Sequence, residues 1–124
     1  MSNIIEFANI SEEKKLISWY CNGQKIQRVF EYSIQLFFLL NDETGIVVLG
    51  SVDEFGKNNA LIINADGSTR FFLAIPEKIQ YPIEIYDVYY ELGILTAVVS
   101  AKYNMYAYVF DEQTGEILNV HETR

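Results

Sequence analysis

Short runs rich in Val, Ile, Tyr and Phe follow one another along the whole chain, separated by Gly, Asn and Asp about every 8 to 12 residues. β-branched and aromatic side chains pack well on a pleated surface, so the pattern predicts an all-β fold of short antiparallel strands. The expected strands are residues 4–7, 16–21, 25–32, 34–40, 45–52, 60–64, 69–75, 83–91, 94–101, 105–110 and 116–120. Helical periodicity is nearly absent. The best helical candidate is residues 11–16, with Ser11 as cap and Glu12 and Glu13 near the positive end of a single turn. Pro76 and Pro82 bracket a connector.

The chain also resembles itself. Residues 60–73 parallel residues 107–120, 47 positions further on, and residues 45–51 parallel residues 93–100 at a similar separation. A partial copy, about residues 14–31, places Asn22-Gly23 where the others carry Asp66-Gly67 and Thr114-Gly115. Glycine at these points supplies the positive φ that tight hairpins need. Each full unit, about residues 34–76 and 83–120, reads as a four-stranded antiparallel meander. The 124 residues amount to one domain with internal repeats and an N-terminal hairpin.

In length and strand count these meanders resemble the blades of β-propellers. The run Phe110-Asp111-Glu112-Gln113-Thr114-Gly115-Glu116 is similar to the Asp-x-x-Thr-Gly turn of quinoprotein-type propeller repeats. Asp66-Gly67-Ser68 lacks that Thr-Gly spacing, and Trp19 is the one tryptophan, so no blade-closing Trp is present in either full copy and no cofactor is implied. Closed propellers typically have four or more blades. The expected architecture is therefore a sandwich, or an open, twisted, propeller-like fragment, with a monomer favoured over an oligomer that shares its edges.

Seventeen Asp and Glu stand against nine Lys and Arg, a formal charge of −8, which disfavours nucleic acid and points to a basic protein as partner. The first residues lack the basic and apolar regions of a secretory signal, and residues 34–40, the longest strongly apolar stretch, are too short to span a bilayer as a helix. A soluble, cytoplasmic protein is expected. Cys21 is the one cysteine, so neither an intramolecular disulfide nor a Cys-ligated zinc site is possible, and a buried hydrophobe is its expected role. The one histidine, His121, lies three residues from the C-terminus, where fraying is expected. No catalytic set and no metal set is expected.

In a meander the first and third turns share one end of the sheet. Asp42, Glu43, Asp66, Glu91, Asp111 and Glu112 fall in those turns, which hold no Lys or Arg, whereas Asp53, Glu54, Lys57 and Lys102 balance one another in the second turns. One acidic pole and one mixed pole are expected. The acidic pole has three readings: solvated turns that guard sheet edges, a docking surface for a basic protein, or a divalent-metal site, the last without any Asp-x-Asp-x-Asp-Gly loop. Tyr103, Tyr106 and Tyr108 offer an aromatic binding face, with Tyr106, Tyr108 and Phe110 on one side of an interior strand. In size, charge and lack of catalytic residues the chain resembles small acidic bacterial toxin-immunity proteins. That resemblance implies a binding module that covers a basic toxin, such as a nuclease domain. The alternative is a structural or scaffolding module acting through self-association or sheet edges.

Overall fold

The computed structural model describes residues 3–76, 82–101 and 104–123. Three antiparallel meanders follow one another in the sequence. The N-terminal sheet contains β1 (Glu6–Ile10), β2 (Leu16–Cys21) and β3 (Gln24–Val29), in that order. The central sheet contains β4 (Leu36–Leu39), β5 (Gly45–Leu49), β6 (Ala60–Asn64) and β7 (Thr69–Phe72), and a short helix α1 (Val52–Phe55) links β5 to β6. The C-terminal sheet contains β8 (Pro82–Glu91), β9 (Ile94–Ala101), β10 (Met105–Phe110) and β11 (Ile117–Thr123). The fold is all-β, and the three sheets form a layered sandwich.

The layering follows from the two apolar cores. One joins Ile17, Trp19 and Phe30 of the N-terminal sheet and its flanks to Ile46, Val48, Leu61 and Ile63 of the central sheet. The other joins Val47, Leu49, Ala60 and Ile62 of the central sheet to Ile85, Val88, Leu95, Ala97, Tyr108 and Phe110 of the C-terminal sheet. Alternate residues of β5 and β6 thus enter opposite cores. This explains why Gly-Ile-Val-Val-Leu and Ala-Leu-Ile-Ile are apolar without alternation: both faces of the middle layer are covered.

Two fully buried polar side chains cross the layers. Trp19 Nε1 donates to the Ala65 carbonyl at 2.7 Å, pinning the N-terminal sheet to the central one. Asn59 is fully buried; its amide donates to the Gly50 and Ile85 carbonyls at 3.0 and 3.2 Å, and its Oδ1 accepts from the Ile85 N–H at 2.8 Å. One amide therefore satisfies backbone on both the central sheet and β8. The hairpins also match in detail: β6–β7 shifts register between Ile62 and Ile63, and β10–β11 shifts between Val109 and Phe110, 47 residues on.

Several local expectations need correction. Residues 11–15 form a turn that leads into β2, not a helix, because Lys14 adopts φ 61°, outside the helical region; Ser11 Oγ still accepts from the Lys15 and Leu16 N–H groups. The helix instead occupies Val52–Phe55, capped by Ser51 Oγ, where the sequence pattern extends a strand to Val52. Gly50 marks the exit from that strand, since a Cβ there would lie 2.5 Å from the Phe55 ring. The N-terminal hairpin is a three-stranded sheet, because β1 runs from Glu6 to Ile10 and pairs with β2 across a bulge. His121 is not frayed: it sits in β11 opposite Ala107.

Asn59→Ala should strand the Ile85 N–H and carbonyl in the interior, at a cost of about 1–3 kcal/mol for each group left unpaired, whereas the Gly50 carbonyl keeps the Gln35 amide as donor. Urea unfolding should therefore show a far lower midpoint for Asn59→Ala than for Leu118→Ala, whose side chain is exposed.

Candidate partner-binding surface

The turn end of the central and C-terminal sheets is organised by a cation that no turn contains. Arg70 leaves β7 at the bulge and spreads its guanidinium across two layers. Its Nε donates to Asn64 Oδ1 at 2.6 Å, Nη1 to the Glu112 carbonyl at 3.1 Å, and Nη2 to the Thr44 hydroxyl and carbonyl at 3.1 and 3.3 Å. A planar fork suits such divergent acceptors better than a lysine ammonium. Gln113 completes the link by donating to Asp42 Oδ2 at 3.2 Å. Between these groups and Asp66 lies a cleft of about 390 Å³.

The acidic turns are locked by their own carboxylates. Asp42 Oδ1 accepts from the Thr44 N–H and hydroxyl, Asp66 Oδ1 from the Ser68 N–H and hydroxyl, and Asp111 Oδ1 from the N–H groups of Gln113 and Thr114. An Asp that mimics the next backbone turn in this way fixes a tight connection. Burial pushes the Asp42 carboxyl up, but hydrogen bonds from Thr44 and Gln113 and the nearby Arg70 charge outweigh it and hold the group below its ordinary value. Hydrogen bonds from Ser68 lower Asp66 in the same direction.

Tyr90 ties the two sheets together from the other side. Its hydroxyl donates to Glu112 Oε1 at 2.7 Å and accepts from the Asn41 N–H at 3.1 Å. Burial, joined by Glu112 and Asp42, pushes its phenol up to about 12. Asp42, Asp66 and Glu112 are therefore brought together around Arg70, Gln113 and Tyr90. Glu43 and Asp111 lie in the same turns, and Glu91 follows Tyr90 as the last residue of β8, next to the β8–β9 turn. Among the described residues no three carboxylate, His or Cys side chains converge as metal ligands.

The tyrosine expectations fare differently. Tyr108 is 3% exposed within the core between the central and C-terminal sheets, and Tyr106 packs against that core, so the Tyr106–Tyr108–Phe110 side of β10 faces inward and not toward a partner. Tyr103 lies outside the described residues. The exposed tyrosine of this sheet is Tyr86, 59% accessible, on β8. Strand alternation misses it because β8 slips register between Ile85 and Asp87.

Charge is graded across the layers, which the sequence sums do not reveal. Between Glu6 and Val29 the N-terminal sheet carries three carboxylates and four cations. The described residues from 82 to 123 carry Glu84, Asp87, Glu91, Asp111, Glu112, Glu116 and Glu122 and no Lys or Arg. Burial, with Glu91 and Asp87 adding to it, raises the Tyr89 phenol on this sheet. The acidic character belongs to the whole C-terminal layer as well as to a turn end.

No family model matches the sequence, and no curated protein matches it. A chain from the solved structure of Tne2 in complex with Tni2 shares the fold, with a TM-score of 0.69 at 17% identity over 89% of this chain and 78% of that one. No helix among the described residues is long and apolar enough to cross a membrane.

Two titrations test this geometry. Because Asp42 is more acidic folded than its ordinary 3.8, its stabilising contribution is present above that value and is lost as pH falls through the lowered one. Asp42→Asn should flatten the pH dependence of unfolding below about pH 4, read by circular dichroism. In an ultraviolet titration, Tyr90→Phe should remove the ionisation near 12.

Proposed function

We propose that this chain is a protein-binding module of the immunity type, which neutralises a basic toxin, a nuclease domain, by docking an acidic surface over it. What supports the reading is the turn end shared by the central and C-terminal sheets, where Asp42, Glu43 and Asp66 of the one and Glu91, Asp111 and Glu112 of the other lie. A rigid array of negative charge raises the rate of encounter with a cationic protein and selects against acidic competitors. The Asx-locked turns and the Arg70 bridge support rigidity, since they hold the carboxylates in place before any partner arrives. The likeness in fold to a chain from a two-protein complex supports a binding role. On this reading the carboxylates stand in for the phosphates that a nuclease's basic cleft would otherwise hold.

The partner, co-purified from the source cells and identified by mass spectrometry, should be strongly cationic. Replacing the six acids with Lys should slow its association by about 10-fold to 1000-fold and remove most of the salt dependence of the on-rate in stopped-flow measurements. Unchanged on-rates in the six-fold variant would exclude these residues from the encounter.

A further inference from the structure

Two hairpins of this chain close on the same turn with opposite choices of residue. Asn22-Gly23 joins β2 to β3 between the paired Cys21 and Gln24, and Leu92-Gly93 joins β8 to β9 between the paired Glu91 and Ile94. The φ values are 53° and 80° in the first and 52° and 79° in the second, so both are two-residue loops with positive φ at each central position. Such a turn favours Asn-Gly, because a short polar side chain tolerates the left-handed region and a bulky one does not. Asn22 obeys that rule, and its amide donates to Asn3 Oδ1 at 3.0 Å. Leu92 breaks it, and its side chain gains nothing from the fold in return: it is 96% accessible, as bare as in an unfolded chain. Phe7, a second bulky apolar residue at positive φ, has its ring edge-on to Tyr20 at 6.3 Å, an internal contact. A strained backbone that carries an unburied leucine disfavours the free protein twice, through conformation and through hydration.

We infer that Leu92 is the apolar anchor of the partner interface, a side chain that enters a socket of apolar residues flanked by Lys and Arg on a basic protein. The inference rests on the proposed function and adds to its acids the contact that holds the complex together. Position argues for this occupant. Two residues before the tip, Tyr90 donates to Glu112 Oε1 and accepts from the Asn41 N–H, so the β8–β9 hairpin is tied to both the β4–β5 and the β10–β11 turns. Glu91 precedes Leu92 and pairs with Ile94, which is itself 46% accessible, so acidic and apolar side chains meet at the tip. Arg70, the cation that bridges these turns, is committed to Asn64, Thr44 and the Glu112 carbonyl. A second copy packed end to end, a nucleic acid or an anionic bilayer would bring negative charge against Asp42, Glu43, Glu91, Asp111 and Glu112. A cationic protein meets both demands, because interfaces concentrate their energy in a few buried anchors inside a polar rim.

The test pairs Leu92 with Tyr32, an exposed aromatic whose N–H donates to Glu54 of α1 at the other end of the central sheet. A photo-activated benzophenone amino acid at Leu92, in the full chain expressed in the source cells, should form an adduct with a cationic protein, within an apolar pocket flanked by Lys or Arg. The same group at Tyr32 should not. With that protein purified, Leu92→Asn should raise the dissociation constant about 10-fold or more through faster dissociation, with the on-rate and its salt dependence unchanged because no charge is altered. Its urea midpoint should equal or exceed that of the parent, since Asn suits the turn. Tyr32→Asn should change the affinity by about twofold or less. An affinity unmoved by Leu92→Asn would overturn the anchor, and the acidic docking reading would then stand or fall on the six-fold Lys variant. A lowered midpoint in Leu92→Asn would give the leucine a role in the fold and overturn it as well. Adducts from Leu92 with a second copy of this chain, or binding to phosphatidylglycerol vesicles that Leu92→Asn abolishes, would overturn the basic partner. No cationic adduct from Leu92 would overturn the anchor too; joined to unchanged on-rates in the six-fold Lys variant, it would defeat both readings.

Discussion

The middle layer has no solvent face, and the rest of the molecule is arranged around that constraint. Strands covered on one side need one apolar residue in two, but β5 and the first four residues of β6 are buried at every position. Each such strand must find apolar cover in both directions, so the chain supplies a sheet before it and a sheet after it. Fully burying a Val, Leu or Ile side chain contributes about 1.5–3 kcal/mol relative to leaving it exposed. The seven branched residues of β5 and β6 are therefore a large share of the driving force, and it is lost if either outer sheet detaches. Neither outer sheet has that central position.

Burial on this scale leaves few routes for polar contact between layers, and the structure uses side chains aimed at backbone. Trp19 reaches the Ala65 carbonyl, Arg28 reaches the Gly67 carbonyl at 2.9 Å, and Arg70 reaches the Glu112 carbonyl. The two arginines act alike: each leaves the last strand of one sheet and bonds the third turn of the next. Beside each, an apolar side chain closes on that turn's glycine, Ile26 against Gly67 and Phe71 against Gly115. Both glycines have positive φ, 96° and 82°, and a Cβ on either would crowd the approaching side chain to about 3 Å. The turn chemistry thus serves the seam between sheets as well as the hairpin. At the end of the series, β11 has Leu118 at its bulge, where β7 has Arg70.

Much of the fold was legible because the strand signal is local. Turn spacing, Gly punctuation and the 47-residue parallel yield the eleven strands within a few residues and two four-stranded meanders. The failures are places where a distant contact overrides a local preference. Positive φ at Lys14 is incompatible with helix, and the Phe55 ring against Gly50 ends a strand that Val52 would continue. Residues 116–120 understated β11 because pairing with Met105–Val109 holds the chain through Thr123. The candidate site was legible only in part. Turn position was enough to group Asp42, Asp66 and Glu112, but Arg70 reads as an ordinary strand residue until the bulge turns it toward the pole. Likewise, a bulge in β8 exposes Tyr86, whereas unbroken alternation in β10 buries Tyr108.

The same comparison bears on what the charges do. Asp42, Asp66 and Asp111 each close their own turn, so their types follow from local folding whatever partner exists. Glu84, Glu91 and Glu122 lie in strands, and Glu116 enters the β10–β11 turn through its backbone. Selection for a stable turn would not by itself leave strands β8 to β11 without Lys or Arg, when β3 alone carries Lys25 and Arg28. Solubility does not demand it either, since mixed charge keeps a surface soluble. Strands that carry charge of one sign are the arrangement expected where a particular charge of partner is to be admitted and the opposite one refused.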